Sequence, residues 1–411
     1  MGHVKEHMIS LNQLWQMKNK KNIGLLIPYL TNGGAERAVA NLSKDLADNY
    51  NVYILLFNKG QQVYPHKGQI VDMIFEYGSN LFTRACQFFL HARKVYHYRK
   101  ELKLDCVISF MNTANIYNGL TCTPHSKAIL SIRNTRSQEK QSAFGKMLIR
   151  YTNYKASKIV ALSKGVEEEL INDFGYERKK TTTIYNSCSA EWLLRESSEV
   201  DALISKTDFT NPIICTVGRL HHQKGQWHLF KAMKMVVEKI PHCKLFVFGQ
   251  GEFMSQYEEF IKELNLQDNI HLVGFVPNHH KFITKCKAFV FPSLYEGLGN
   301  VLLEALACGL PVISTDCNFG PKEILNDDYK ADVNDIFYAD YGILVPKFKL
   351  DRFNKYDLQL SREDKLLAEA ITKLLSDKKL IDEYSKKALK RIEYFSPSVI
   401  TENWIQLIES I

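Results

Sequence analysis

Residues 291–315, FPSLYEGLGNVLLEALACGLPVIST, gather the groups best suited to a phosphorylated ligand. The apolar run ending at Phe291 reads as a strand, and a helical pattern begins near Asn300. Between them, Gly297 and Gly299 flank Leu298 and leave backbone amides approachable. The first amides of a helix lack intrahelical partners, so this terminus suits a diphosphate. Glu304 falls on the second turn, among Leu302, Leu303, Ala305, Leu306 and Ala307. A carboxylate in that setting needs a partner, and a ribose diol would supply one. Glu296, on the loop, would reach a sugar hydroxyl instead.

The segment TVGRLHHQKGQ, residues 216–226, adds two cations. Gly218 closes a strand. Arg219 offers a planar fork and Lys224 a point charge to a diphosphate. In TNGGAER, residues 31–37, Gly33 and Gly34 let the backbone approach a ligand. The pattern is neither GxGxxG nor a P-loop, and Glu36 and Arg37 read as local surface contacts. Arg133, followed by Asn134 and Arg136, succeeds a strand-like run and suits an anionic acceptor. Asn112 and Asn115 follow the strand ending at Phe110, where they line a cleft or cap a helix. His221 and His222 have no His, Asp or Glu neighbours at metal-binding spacing, so no metal site is expected there.

These groups need a scaffold. In the first half, strand-like runs at Ile23–Pro28, Val52–Phe57, Cys106–Phe110, Ala128–Ile132 and Ile159–Leu162 alternate with helix-like stretches. Ser163 is placed to cap a helix that Gly175 stops. The second half repeats the scheme, with strands at Ile213–Val217, Leu245–Phe248, Ile270–Val273, Ala288–Phe291 and Val312–Ser314. Such alternation specifies an α/β protein with parallel sheets covered by helices. The expected division is a first domain over 1–190, a linker over 191–210, a second domain over 211–392 and a closing helix over 393–411. Helical patterns run near 363–392 and 397–411, with Ser396 and Pro397 starting the last. Ligands of doubly wound domains bind beyond the carboxyl ends of the strands.

Size and composition agree. The chain has 411 residues, 45% hydrophobic and 24% charged, ordinary for two or three globular domains. Nine cysteines without CxxC spacing argue against a disulfide scaffold or a cysteine-rich zinc site, and for a reducing compartment. The apolar runs are too short to span a bilayer, and the first residues lack a signal-peptide core. A cytoplasmic location is expected. Charge is uneven: residues 1–200 hold 27 Lys/Arg against 17 Asp/Glu, net +10, and residues 201–411 hold 26 against 28, net −2. A basic half suits phosphorylated substrates or anionic lipid headgroups. No nucleic-acid module is recognisable, so nucleic acid is not an expected partner.

Taken together, Glu296 and Glu304, the surrounding Gly297, Gly299, Asn300, Ala305, Gly309 and Pro311, the pair Arg219 and Lys224, and the Gly33–Gly34 loop resemble one family. It is the retaining, nucleotide-sugar-dependent glycosyltransferases of family GT4, with the GT-B fold of two Rossmann-like doubly wound domains facing across a cleft. Glu296 and Glu304 match the family's EX7E motif. Asp316 and GPKEIL at 320–325 are similar to members that build bacterial capsules, O-antigens or teichoic-type polymers. FSPSVITENWIQLI resembles the closing helix that crosses back to the first domain.

The resemblance implies roles. Glu304 would hold ribose hydroxyls, and Arg219 and Lys224 the diphosphate. Leu298, Gly299 and Asn300 would add contacts from the helix terminus. Glu296 would contact the donor hexose, the backbone around Phe275, Val276 and Pro277 the base, and Gly33 and Gly34 the donor phosphates. Arg133, Arg136 and Asn112 would meet the acceptor. Arg219, Lys224 and Glu296 would be the catalytic group. No histidine occupies the neighbourhood of Ser109–Asn112 where many relatives carry one. The implied reaction moves a hexose or N-acetylhexosamine from a nucleotide diphosphate, UDP first, to a cell-surface glycan or polyprenyl-linked acceptor with retained configuration. It needs no cofactor or divalent ion, since the nucleotide sugar is a substrate. Peripheral contact with the inner face of the membrane fits the basic half. The alternative is a catalytically silent nucleotide-sugar-binding or scaffold subunit of a polysaccharide assembly complex.

Overall fold

A computed structural model describes residues 20–31, 33–60, 64–133, 142–193, 198–276 and 279–411. Two seven-stranded sheets organise them. The first contains β1 (Asn22–Ile27), β2 (Asn51–Leu56), β3 (Gln69–Asp72), β4 (Cys106–Phe110), β5 (Lys127–Ile132), β6 (Lys158–Ala161) and β7 (Thr181–Thr183). They lie in the order β3-β2-β1-β4-β5-β6-β7, and every pairing is parallel. The central strands are buried on both faces, hence their unbroken apolar runs. Around them lie α1 (Gly34–Leu46), α2 (Leu81–Glu101), α3 (Asn112–Thr121), α4 (Ala143–Lys155) and α5 (Lys164–Asn172). As expected, Ser163 caps α5, its Oγ accepting from Val166 N at 3.3 Å.

Short α6 (Ala190–Leu193) and α7 (Ser198–Ser205) lead to the second sheet. It contains β8 (Ile213–Val217), β9 (Lys244–Phe248), β10 (Ile270–Gly274), β11 (Ala288–Phe291), β12 (Val312–Thr315), β13 (Phe337–Tyr338) and β14 (Ile343–Val345), ordered β10-β9-β8-β11-β12-β14-β13. Its helices are α8 (Gln226–Lys239), α9 (Met254–Glu263), α10 (His280–Ile283), α11 (Asn300–Ala307), α12 (Pro321–Leu325), α13 (Arg362–Ser376) and α14 (Lys378–Ile392). The helical pattern near 363–392 proves to be two helices. Asp377 breaks it and accepts from Leu380 N at 3.1 Å, capping α14.

The last helix, α15 (Pro397–Glu409), crosses back to the first domain. Ile400, Trp404, Leu407 and Ile408 join the core formed by β1, β2 and α1. Glu409 fixes its end, accepting from Tyr50 Oη at 2.8 Å and pairing with Lys21 Nζ at 2.6 Å. Pro397 stands in the first turn as expected, but Ser396 makes no capping bond; its Oγ meets Ser398 Oγ at 3.1 Å. The nine cysteines are free thiols. No helix among the described residues is long and apolar enough to cross a membrane.

Candidate functional site

The carboxyl ends of the two sheets face one another across a cavity of about 490 Å³. From the first domain its wall includes Gly34, Met111, Asn112 and Arg133; from the second, Lys224, Glu296, Leu298, Gly299 and Asn300. A volume of this size accommodates a sugar with its phosphates. Each chain segment arrives as a loop after a strand, the place a doubly wound sheet reserves for ligands.

Gly299 precedes α11 with φ of 87°, a left-handed conformation that costs a glycine little. No side chain caps α11, so its first amides open onto the cavity. Gly225 turns the chain into α8 in the same conformation, with φ of 57°. That turn aims Lys224 across the loop, where its Nζ lies 2.5 Å from Glu296 Oε1. Both side chains are largely buried. Their pairing keeps a cation and an anion together on the cavity wall without an unpartnered charge.

Glu304 sits one turn deeper on α11, almost wholly buried. Its Oε1 is 2.9 Å from Arg37 Nη1, and its Oε2 accepts from His280 Nε2 at 2.9 Å. Burial pushes the carboxyl up, but the Arg37 charge and the His280 hydrogen bond outweigh it and hold it at about 2. Arg37 belongs to α1 of the first domain. The reading of Arg37 as a local surface contact is therefore corrected: it bridges the domains. His279, beside His280, is driven down to about 4 by burial and by the His280 and Arg37 charges, which outweigh the opposing pull of Glu304, and its Nε2 has no hydrogen-bond partner. His279, His280 and Glu304 each bring a ligand atom within 4.8 Å of the others, a set able to hold a metal ion. Arg37 competes for the same carboxylate.

Arg133 is a second cation on the cavity wall, half-buried. Its Nη1 donates to Asn186 Oδ1 at 2.6 Å, its Nε has no partner, and the guanidinium stacks 4.9 Å from the Phe110 ring. Burial alone lowers its pKa to about 9. Asn186 continues the chain across the cleft, donating from Nδ2 to Asn300 Oδ1 at 2.7 Å. The domains approach closely here, since a Cβ on Gly297 would stand 2.9 Å from Arg133 O.

Not every expected residue lines this cavity. Arg219 is exposed on the loop after β8, outside the wall that holds Lys224. Gly33 is the N-cap of α1, one residue from the lining Gly34. Phe275 is exposed and Val276 half-buried beyond β10. Arg136 and Pro277 lie outside the described residues. Asn115 neither lines the cavity nor caps a helix. It is buried, accepting from Ser109 Oγ at 2.7 Å and donating to Ser131 O at 3.0 Å, which ties β4 to β5. Sequence reasoning passed over Asn186, His280 and the bridging role of Arg37: the partners of Asn186 and Arg37 lie across the cleft, and His280 meets Glu304 from a separate helix of the same domain.

Comparison with known proteins agrees with this geometry. Residues 200–345 match the family described as glycosyl transferases group 1, and residues 32–192 the one described as glycosyltransferase family 4. A Methanocaldococcus jannaschii protein named as an uncharacterized glycosyltransferase is 34% identical over 328 residues, spanning 75% of this chain and 80% of its own. The Campylobacter jejuni N-acetylgalactosamine-N,N'-diacetylbacillosaminyl-diphospho-undecaprenol 4-alpha-N-acetylgalactosaminyltransferase is 28% identical over 396 residues, 94% of this chain and 99% of its own. Among solved structures, Anabaena HepE in complex with UDP superposes with a TM-score of 0.73 at 18% identity, covering 95% of this chain and 100% of that one.

Proposed function

The chain belongs to the glycosyltransferases, with the GT-B fold, and from that premise we propose that it moves a hexose or N-acetylhexosamine from UDP to a polyprenyl-diphosphate-linked or growing cell-surface glycan, with retention at the anomeric carbon. The observation that carries this reading is the cavity wall itself. Lys224 and the uncapped α11 terminus face the same space as Glu296. When the bond between the anomeric carbon and the diphosphate breaks, negative charge grows on the departing oxygen. A fixed ammonium and oriented backbone amides stabilise it without reorganising. Glu296, already beside Lys224, is placed to orient a sugar hydroxyl. Glu304 would take the ribose diol in exchange for its present partners, and Arg219 would swing in from the rim to the outer phosphate.

The acceptor side follows from Arg133 and Asn112. Arg133 lines the cavity with no carboxylate counter-ion and with its Nε unpartnered, so an anionic ligand would complete it, and an acceptor diphosphate supplies that charge. The name of the Campylobacter relative specifies a diphospho-undecaprenol acceptor, which supports the same class here. Work at such an acceptor places the protein at the inner face of the membrane.

The deciding experiment offers purified protein UDP-glucose, UDP-galactose, their N-acetylated and uronic counterparts and GDP-mannose, with and without membrane lipid extract, and measures nucleotide diphosphate release. UDP is the nucleotide held by HepE and is tested first. Release from one donor, enhanced by lipid and persisting in EDTA, is expected. Binding of UDP with no release from any donor under any condition overturns the transferase reading.

A further inference from the structure

The first domain carries a surface that the cleft does not use. Helices α2, α3 and α4 precede β4, β5 and β6, which are added one after another in the same direction across the sheet. Right-handed crossovers put all three on one side of it, and α3 packs between the other two. The outward faces of α2 and α4 are unusual for a solvated surface. Phe82 is 77% exposed and Phe89 71%; on α4, Phe144 is 64% exposed and Tyr154 71%. Phe82, Phe89, Arg93, Tyr96 and Lys100 follow one another along a single stripe of α2, and Phe144, Met147, Tyr151 and Lys155 along a single stripe of α4.

Charge separates this face from a protein-binding patch. Arg84, Arg93, Lys94 and Lys100 on α2, and Lys146, Arg150 and Lys155 on α4, are all exposed. The two helices contain one carboxylate, Glu101, which His97 engages at 3.1 Å. Rings that are apolar in body with cations between them are what an interface between headgroups and acyl chains accepts. A second copy of the same face would bring cation against cation, which opposes self-association.

We infer that the outer faces of α2 and α4 dock on a bilayer rich in anionic phospholipid, the rings entering the headgroup boundary and the cations resting on the phosphates. Both helices begin at the carboxyl ends of their strands, so docking on them brings the cleft mouth to the bilayer. There Met111, exposed at the start of α3, joins the surface to the cavity wall. This deepens the proposed function, on which only the identity of the acceptor rests; the surface itself is read from exposure and charge.

The test is cosedimentation of the full chain with vesicles of phosphatidylcholine alone, or with about 30 mol% phosphatidylglycerol. Binding should be at least about tenfold stronger to the anionic vesicles and weaken as salt rises. Arg93→Glu, Lys100→Glu and Arg150→Glu combined should remove that preference. Phe82→Ser, Phe89→Ser and Phe144→Ser combined should lower binding about tenfold or more while UDP affinity stays at the wild-type value. Equal binding to both vesicles, no binding, or either triple variant binding like wild type overturns the inference. A dimer that the aromatic variant dissolves would give the face to a second copy instead. Vesicle binding needs no turnover, so it stands or falls apart from the donor screen.

Discussion

Arg37 and Glu304 face each other across the cleft at 2.9 Å, one from each domain, and the remaining carboxylate oxygen is held by His280 at 2.9 Å. The residue expected to receive a ribose is thus already satisfied by side chains of the protein. Its partners keep an almost buried carboxylate ionised and oriented. If Glu304 takes the ribose as proposed, a nucleotide trades one set of hydrogen bonds for another and loosens a contact that holds the domains together. On that reading, binding and closure are coupled through one side chain.

Two substitutions separate those roles. Glu304→Gln should weaken UDP binding about 10- to 100-fold, because a charged acceptor for the ribose is lost. Arg37→Met should instead destabilise the empty protein by about 1–3 kcal/mol while leaving UDP affinity unchanged or tighter. Calorimetric titration with UDP and urea unfolding read both. If Arg37→Met weakens UDP binding as much as Glu304→Gln does, Arg37 holds the nucleotide itself.

The same cluster sets a pH dependence in two windows. The Glu304 carboxyl is depressed to about 2 from 4.5. Its contribution is present above pH 4.5 and is lost as pH falls toward 2. Burial depresses His279 to about 4 from 6.5. The unfolded chain then takes up a proton that the folded chain refuses, so stability falls as pH drops from 6.5 toward 4. Each effect amounts to about 1–3 kcal/mol. Urea midpoints measured against pH should show His279→Gln flattening the upper window and Glu304→Gln the lower. Parallel profiles for all three proteins would remove these groups as the cause.

Much of this was legible in the residues because it is local. Strands such as Cys106–Phe110 and Ala288–Phe291 are buried on both faces and announce themselves as apolar runs. Glu304 betrayed its burial through its apolar neighbours. The short edge strands β3, β7 and β13 went unread, since Thr181–Thr183 or Phe337–Tyr338 carries no period to detect, and so did the three-residue interior strand β14. Arg37, His280 and Asn186 were beyond local reasoning for another reason. Their partners lie in other parts of the fold: Arg37 and Asn186 meet theirs across the cleft, and His280 meets Glu304 from a neighbouring helix of its own domain. Arg219 shows the opposite limit: a motif placed it beside Lys224, and the loop turns it outward.

Arg133 predicts a separation of stability from activity. Its guanidinium is shielded, lacks a carboxylate partner and is lowered to about 9 by burial. Arg133→Met removes an uncompensated charge, so unfolding free energy should stay within about 1 kcal/mol of wild type or rise. Transfer to a lipid-linked acceptor should fall about tenfold or more, through loss of a charge-assisted contact. Thermal melts beside product formation test the pair. A variant that loses stability and keeps activity would make Arg133 a structural residue.

Glu323 gives a second handle on closure, away from the cavity. It lies on α12 of the second domain, yet its carboxylate accepts from Lys164 N at 2.6 Å and Gly165 N at 2.8 Å, the start of α5 in the first. Tyr185 Oη adds a third donor at 3.0 Å. One domain therefore caps a helix of the other, satisfying amides that would otherwise be orphaned. Opening the cleft exposes them. Glu323→Ala should cost about 1–2 kcal/mol and raise the radius of gyration of the nucleotide-free protein in small-angle scattering. UDP affinity should change less, since Glu323 is outside the cavity wall. Glu323→Gln, which keeps an acceptor but no charge, should fall between. A scattering profile of Glu323→Ala identical to wild type would show that the cap does not hold the domains together.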